Sequence, residues 1–182
     1  MPRNTFLEYF SNLHPESRIS FESPQPKPIA LMSAYPVILL AEDREDDVII
    51  IRKAFAKSNF PYVLKVVGDG EQAIAYLKGE APYDDRSRFP LPSLLLLDLK
   101  MPRKDGFEVL DWIRGQPELF GLRVIVLTSS RLTSDINLAY ERGASSFLVK
   151  PAAFENYVEL TEFINGFWLQ FNQVVGAATS EK

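Results

Sequence analysis

The chain has 182 residues, 24 of them acidic and 20 basic, for a formal net charge of −4. With 46% hydrophobic and 24% charged residues it has the balance of a globular domain. It has no cysteine and one histidine, His14, so disulfide frameworks, thiolate metal sites and multi-histidine metal centres are excluded. No basic run of phosphate-neutralising length is present, which argues against a nucleic-acid partner. No stretch approaches the ~20 apolar residues that span a bilayer, and the N-terminus lacks the basic-then-apolar order of a secretory signal. A cytoplasmic protein without membrane contact is expected.

Residues 1–35 differ from the rest. Pro15, Pro24, Pro26 and Pro28 interrupt any periodic pattern, leaving a short amphipathic stretch around Phe6, Leu7, Tyr9, Phe10 and Leu13. This reads as an arm, flexible or docked on the surface. From Pro36 apolar runs alternate with helical patterns. Strands are expected at Val37–Ala41, Val63–Val67, Leu94–Leu97, Arg123–Leu127 and Ser146–Val149. Between and after them, 3.6-residue periodicity predicts helices at Asp46–Ser58, Gly70–Lys78, Asp105–Arg114, Ser134–Arg142 and Phe154 to about Asn172, with Gly143 ending the fourth. Residues 79–92 form a polar loop. A single domain over 36–173 and a tail over 174–182 complete the division. Nearly continuous apolar strands between amphipathic helices mean an α/β fold, a doubly wound parallel sheet with helices on both faces. Five βα units are too few for a barrel.

In such a sheet, ligands bind beyond the carboxyl ends of the strands. There the sequence puts Glu42 and Asp43 after the first strand, Asp98 after the third, Thr128 at the end of the fourth, and Lys150 followed by Pro151 after the fifth. Three carboxylates ~5 Å apart repel one another by roughly 3 kcal/mol per pair at an effective dielectric of ~20. Either their pKa values rise or a cation sits among them. An all-oxygen set without His or Cys suits Mg²⁺. A divalent metal, a lysine and a hydroxyl around a carboxylate make a receptor for a phosphoryl group, and the carboxylate can itself become an aspartyl phosphate.

The motifs Ile38-Leu39-Leu40-Ala41-Glu42-Asp43, Leu95-Leu96-Leu97-Asp98-Leu99-Lys100-Met101-Pro102 with Asp105-Gly106, Val126-Leu127-Thr128-Ser129, and Gly143-Ala144-Ser145-Ser146-Phe147-Leu148-Val149-Lys150-Pro151 occur in that order. From Pro36 to about Phe171 the chain resembles the receiver domain of two-component response regulators. The long loop before the third strand and Arg103-Lys104-Asp105-Gly106 look most like stand-alone regulators that partner bacterial phytochrome kinases. The resemblance implies the flavodoxin-like strand order 2-1-3-4-5. It implies that Asp98 accepts a phosphoryl group from a phosphohistidine on a sensor histidine kinase. Asp43, Asp98 and the backbone carbonyl of Lys100 would bind Mg²⁺, with Glu42 acting on the metal through water. Lys150 would contact the phosphoryl oxygens, and Thr128 and Phe147 would move inward together as the switch. The Lys150–Pro151 bond would be cis. Two departures stand out: Phe147 where many members carry Tyr, and Lys100 two residues past the phosphoacceptor.

Blander roles are open to the same residues. Asp43 can cap the first helix, and Asp46 and Asp47 can serve its positive end. Gly68-Asp69-Gly70-Glu71-Gln72-Ala73 matches a dinucleotide fingerprint, but it follows the second strand and reads as a tight turn opening a helix. The last helix has an apolar stripe of Tyr157, Leu160, Ile164, Phe167 and Phe171, with Val158, Phe163, Trp168 and Leu169 outside it. One stripe suffices for a surface helix, so either the N-terminal arm covers the surplus or a homodimer or kinase contact does. After Asn172 the chain is too short for a DNA-binding module, so the signal would leave through protein contacts. The expected function is a phosphoacceptor rather than an enzyme with turnover. Its rivals are a receiver-like binding module that is never phosphorylated and a small flavin or nucleotide enzyme on the same fold.

Overall fold

The computed structural model describes residues 35–58 and 60–171. The chain divides into two units, Met1–Leu31 and Met32–Lys182. All described residues fall in the second, so the expected tail and all of the expected arm but Tyr35 lie outside them. Five strands, β1 (Val37–Ala41), β2 (Val63–Val67), β3 (Leu94–Leu97), β4 (Arg123–Thr128) and β5 (Ser146–Val149), form one sheet in the order β2-β1-β3-β4-β5. Every pairing is parallel. The helices are α1 (Glu45–Lys57), α2 (Gly70–Lys78), α3 (Gly106–Arg114), α4 (Thr133–Glu141) and α5 (Phe154–Phe163), with α5 continuing as a π-helix over Ile164–Phe171.

The strand sequences explain the two-sided packing. Side chains alternate between the faces of a sheet. Leu39, Ala41, Leu95, Leu97, Val124 and Val126 therefore meet α2, α3 and α4 on one face. Ile38, Leu40, Leu94, Leu96, Ile125 and Leu127 meet α1 and α5 on the other. β1, β3 and β4 are buried along their whole length. Fully burying each such side chain stabilises the fold by roughly 1.5–3 kcal/mol. The sheet reverses its order between β1 and β3, which puts the ends of those strands at the switch point where α/β sheets bind ligands.

The loop between β3 and α3 is held closely at both ends. A Cβ on Gly106 would lie 2.4 Å from the Asp98 carbonyl oxygen, and one on Gly70 would lie 2.3 Å from the Lys104 carbonyl oxygen. The Gly106 and Gly70 amides instead donate to Leu99 O at 3.0 Å and Lys104 O at 3.2 Å. Asp105 caps α3 in a reciprocal box with Glu108.

The end of the molecule formed by α5 departs from the expected stripe. Tyr157, Thr161 and Ile164 are buried, and Trp168 and Leu169 pack against the same core, whereas Phe167 faces outward. A π-helix takes more residues per turn than an α-helix, so beyond Ile164 the inward position passes from residue 167 to 168. The side chain of Phe171 lies outside the described ones.

Candidate functional site

β1 delivers Glu42 and Asp43 to the rim. The Glu42 amide donates to Val67 O at 3.0 Å, and the Asp98 amide donates to Ala41 O at 3.0 Å, so the ends of β1 and β3 are fixed together. Glu42 is 2% exposed and Asp98 is buried, while Asp43 is exposed. One carboxylate oxygen from each of the three lies within 4.8 Å of the others. Asp98 has its two oxygens held differently. Oδ1 accepts from the amides of Leu99 at 2.7 Å and Lys100 at 3.4 Å, and Oδ2 accepts from Lys150 Nζ at 2.8 Å.

Lys150 follows β5, and its amide donates to Thr128 O at 2.8 Å. Its side chain is 7% exposed, and Nζ lies 2.6 Å from Glu42 Oε2, 2.8 Å from Asp98 Oδ2 and 2.9 Å from Asp47 Oδ2. Burial alone would lower its pKa, but the close negative charges of Asp98, Glu42 and Asp47 outweigh that and hold the ammonium above its usual range. Burial pushes the Glu42 carboxyl up to about 7 from 4.5, against the opposing pull of Lys150 and with some help from the Asp98 charge. The Glu42–Lys150 contact is close but poorly aligned, and Glu42 Oε2 has no hydrogen-bond donor.

Thr128 is fully buried, and its Oγ1 accepts from the Ser130 amide at 3.4 Å. Phe147 is half-buried against the α2–α4 side of the core, and its amide donates to the Tyr140 hydroxyl at 3.2 Å. The Lys100 side chain is exposed. The expected cis bond at Pro151 is a correction: among the described residues the cis bond is Ala81–Pro82, and Lys150–Pro151 is trans. Trans is the lower-energy isomer of X–Pro bonds, and from it Nζ already reaches all three carboxylates.

The site contains one residue that the sequence reading assigned elsewhere. Asp47 lies in the first turn of α1 and reaches Lys150, although it read as a helix-end charge. Its place in the first turn of the helix that directly follows Glu42 and Asp43 is the signal that could have placed it on the rim. The dinucleotide fingerprint has a structural use. Asp69 caps α2 by accepting from the Gln72 amide at 2.8 Å and is fully buried against Arg103, a residue at φ 64°. The Gly70 amide is spent on Lys104 O and the space beside it is filled.

Residues 38–162 match the model of the response regulator receiver domain. This chain belongs to the response regulator receiver family. It is 34% identical over 142 residues to the probable methanogenesis regulatory protein FilR2 of Methanothrix harundinacea, covering 78% of this chain and 89% of that protein. It is 34% identical over 134 residues to response regulator Rcp1 of Synechocystis, covering 74% and 89%. The Mn(2+)-bound form of Rcp1 superposes with a TM-score of 0.70 at 33% identity, covering 78% of this chain and 99% of that one. Response regulator RPA3017, in red light signaling of R. palustris, superposes with a TM-score of 0.74 at 36% identity, again over 78% and 99%. Among the described residues no helix is long and apolar enough to cross a membrane.

The donor set fits a hard divalent cation. The three side chains that converge here, Glu42, Asp43 and Asp98, are all carboxylates. Glu42 Oε2 is buried without a hydrogen-bond donor, and one ammonium faces Glu42, Asp98 and Asp47 together. The surplus negative charge and the raised Glu42 pKa are what a bound cation would relieve.

Proposed function

We propose that this receiver protein accepts a phosphoryl group on Asp98 from a sensor histidine kinase, in a Mg²⁺-dependent reaction, and signals through protein contacts. The observation that carries the reading is Asp98 itself: a buried carboxylate with one oxygen on two backbone amides and the other on Lys150. A carboxylate oxygen of Asp98 attacks phosphorus. The bond from phosphorus to the imidazole nitrogen of the kinase breaks, its electron pair stays on that nitrogen, and an aspartyl phosphate remains. Asp43, Asp98 and the carbonyl of Lys100 would hold the metal, with Glu42 acting through water. When bound, Mg²⁺ supplies neutralisation of charge on the phosphoryl oxygens. Lys150 orients and neutralises a phosphoryl oxygen from the opposite side. The Thr128 hydroxyl then gives up its local contact for a phosphoryl oxygen, and Phe147 follows inward, so that phosphorylation shifts a population between two arrangements.

The partners in this reading are a kinase, of phytochrome type as the sequence resemblance implies, and a second copy of the chain through α5, whose Phe163 and Phe167 stack on each other and stand about half exposed. The protein works in the cytoplasm as a phosphoacceptor, without turnover of a separate substrate. Incubation with Mg²⁺ and acetyl phosphate, followed by intact-mass measurement, tests the reading. Wild type gains one phosphoryl group and Asp98→Asn gains none. A folded wild type that gains nothing, or an equal adduct on Asp98→Asn, overturns it.

A further inference from the structure

Asp47 is the third anion on Lys150. It stands in the first turn of α1, and its Oδ2 lies 2.9 Å from Nζ. An ammonium has three N–H donors and no acceptor. Glu42, Asp98 and Asp47 supply one oxygen each within 2.6–2.9 Å, so all three donors have an anion to face. Two of these anions have other work: Glu42 and Asp98 belong to the carboxylate group suited to a cation. Asp47 is outside that group. Its side chain is 17% exposed and that of Lys150 is 7%, so their attraction is only weakly screened by water. Arg44 Nε, 3.8 Å from the same oxygen, belongs to a side chain 68% exposed and is a weak competitor.

A lysine ammonium sits on a flexible four-carbon stem and is fixed only by its partners. Once Asp98 is an acyl phosphate it has lost its carboxylate charge, and the hold of Glu42 on Nζ would weaken if Glu42 turned to a cation. Nζ then turns to a phosphoryl oxygen, and Asp47 is the carboxylate of the protein that still holds it from behind. We propose that Asp47 is a positioning residue for phosphoryl transfer, which keeps the Lys150 ammonium beside Asp98 while Glu42 and Asp98 are engaged with metal and phosphoryl group. The proposal rests on the reading of Asp98 as phosphoacceptor. The competing role is a purely structural one, since Asp47 also places negative charge at the positive end of α1. Glu45 and Asp46 do the same, and Asp46 is exposed.

The test measures the rate of phosphoryl incorporation into the full chain from acetyl phosphate, by intact mass, while donor and Mg²⁺ are varied. Asp47→Ala is expected to lower the maximum rate on the order of tenfold, which is ~1.4 kcal/mol in the barrier. The half-saturating donor and Mg²⁺ concentrations are expected to stay within about twofold of wild type. Asp47→Asn keeps an oxygen that accepts from Nζ, folds in the same shape, and recovers part of the rate. Asp46→Ala behaves as wild type. In a Lys150→Ala background, Asp47→Ala has no further effect on the rate. The proposal is overturned if Asp47→Ala and Asp46→Ala give the same rates, if the loss lies wholly in half-saturation, or if Asp47→Ala costs the same factor without Lys150. Wild type that incorporates nothing removes the phosphoacceptor reading and this proposal with it; wild type that incorporates normally beside an unchanged Asp47→Ala removes this proposal alone.

Discussion

Glu42 is taken out of water at the end of β1, where it meets the Lys150 ammonium at 2.6 Å and the nearby charge of Asp98. Burial dominates and pushes its carboxyl up to about 7 from 4.5. Between those two pH values the folded protein binds a proton that the unfolded chain does not. Stability of the metal-free protein therefore falls as pH rises through that window and levels off above it. At ~1.4 kcal/mol per pKa unit the full change is roughly 3 kcal/mol. Urea unfolding in EDTA across this range checks the slope, and Glu42→Gln is expected to flatten it. A wild type whose stability rises from pH 5 to 7 would contradict the assignment. The residue scale is also where the sequence was least sufficient. Asp98, Glu42, Asp43 and Lys150 were legible as strand-end residues. That Asp47 also faces Lys150 was not, because the pairing joins α1 to the end of β5 and depends on how the helix start is turned. The trans bond at Pro151 was likewise invisible in the letters.

The elements follow their sequences closely where burial is two-sided. Val37–Ala41 and Leu94–Leu97 are observed as expected, because short apolar runs between turn residues have few other places to go. The loop over 79–92 was legible only as polar. Its order comes from Arg86, whose guanidinium donates to Tyr76 O at 2.8 Å and Leu77 O at 2.7 Å at the end of α2, and from Tyr76, Tyr83 and Phe89 packing together. The π-helical end of α5 was not legible. Its register depends on Trp168 and Leu169 packing on the core and on Arg123 Nη1 donating to Trp168 O at 3.0 Å. The start of α3 is the element most tightly coupled to the site. Gly106→Ala would bring a methyl group to 2.4 Å from Asp98 O and 2.8 Å from Leu99 Cα, both backbone atoms that yield only by moving the phosphoacceptor loop. Overpacking of this kind costs about 1–3 kcal/mol. The expected outcome is a lower melting temperature together with slower phosphoryl incorporation at temperatures where the variant is folded. An unchanged rate would separate the loop geometry from the chemistry.

At the scale of the whole molecule, parallel order β2-β1-β3-β4-β5 gathers residues 42, 98 and 150 at one rim although more than fifty positions separate each from the next. The order was legible through family resemblance; the alternation of strands and helices by itself fixed only the class. The opposite trend holds for association. The aromatic surplus of α5 was visible in the sequence, and Phe163 and Phe167, 52% and 51% exposed, keep the surplus on the surface of the chain. Exposed aromatic pairs of this kind are favoured at protein interfaces. Sedimentation over a dilution series is expected to show a dimer that dissociates, and Phe163→Glu with Phe167→Glu is expected to be monomeric throughout. A wild type that is monomeric at every concentration contradicts that surface. The central claim is chemical: the phosphoryl group goes to one carboxylate, at the end of β3. Borohydride reduction of the protein after reaction with Mg²⁺ and acetyl phosphate, followed by peptide mass mapping, tests it most directly, since an acyl phosphate is reduced to an alcohol where it stands. Homoserine is expected at position 98, with intact aspartate at Asp43 and Asp47. Homoserine at another position, or none in a protein that has gained the phosphoryl mass, would contradict it.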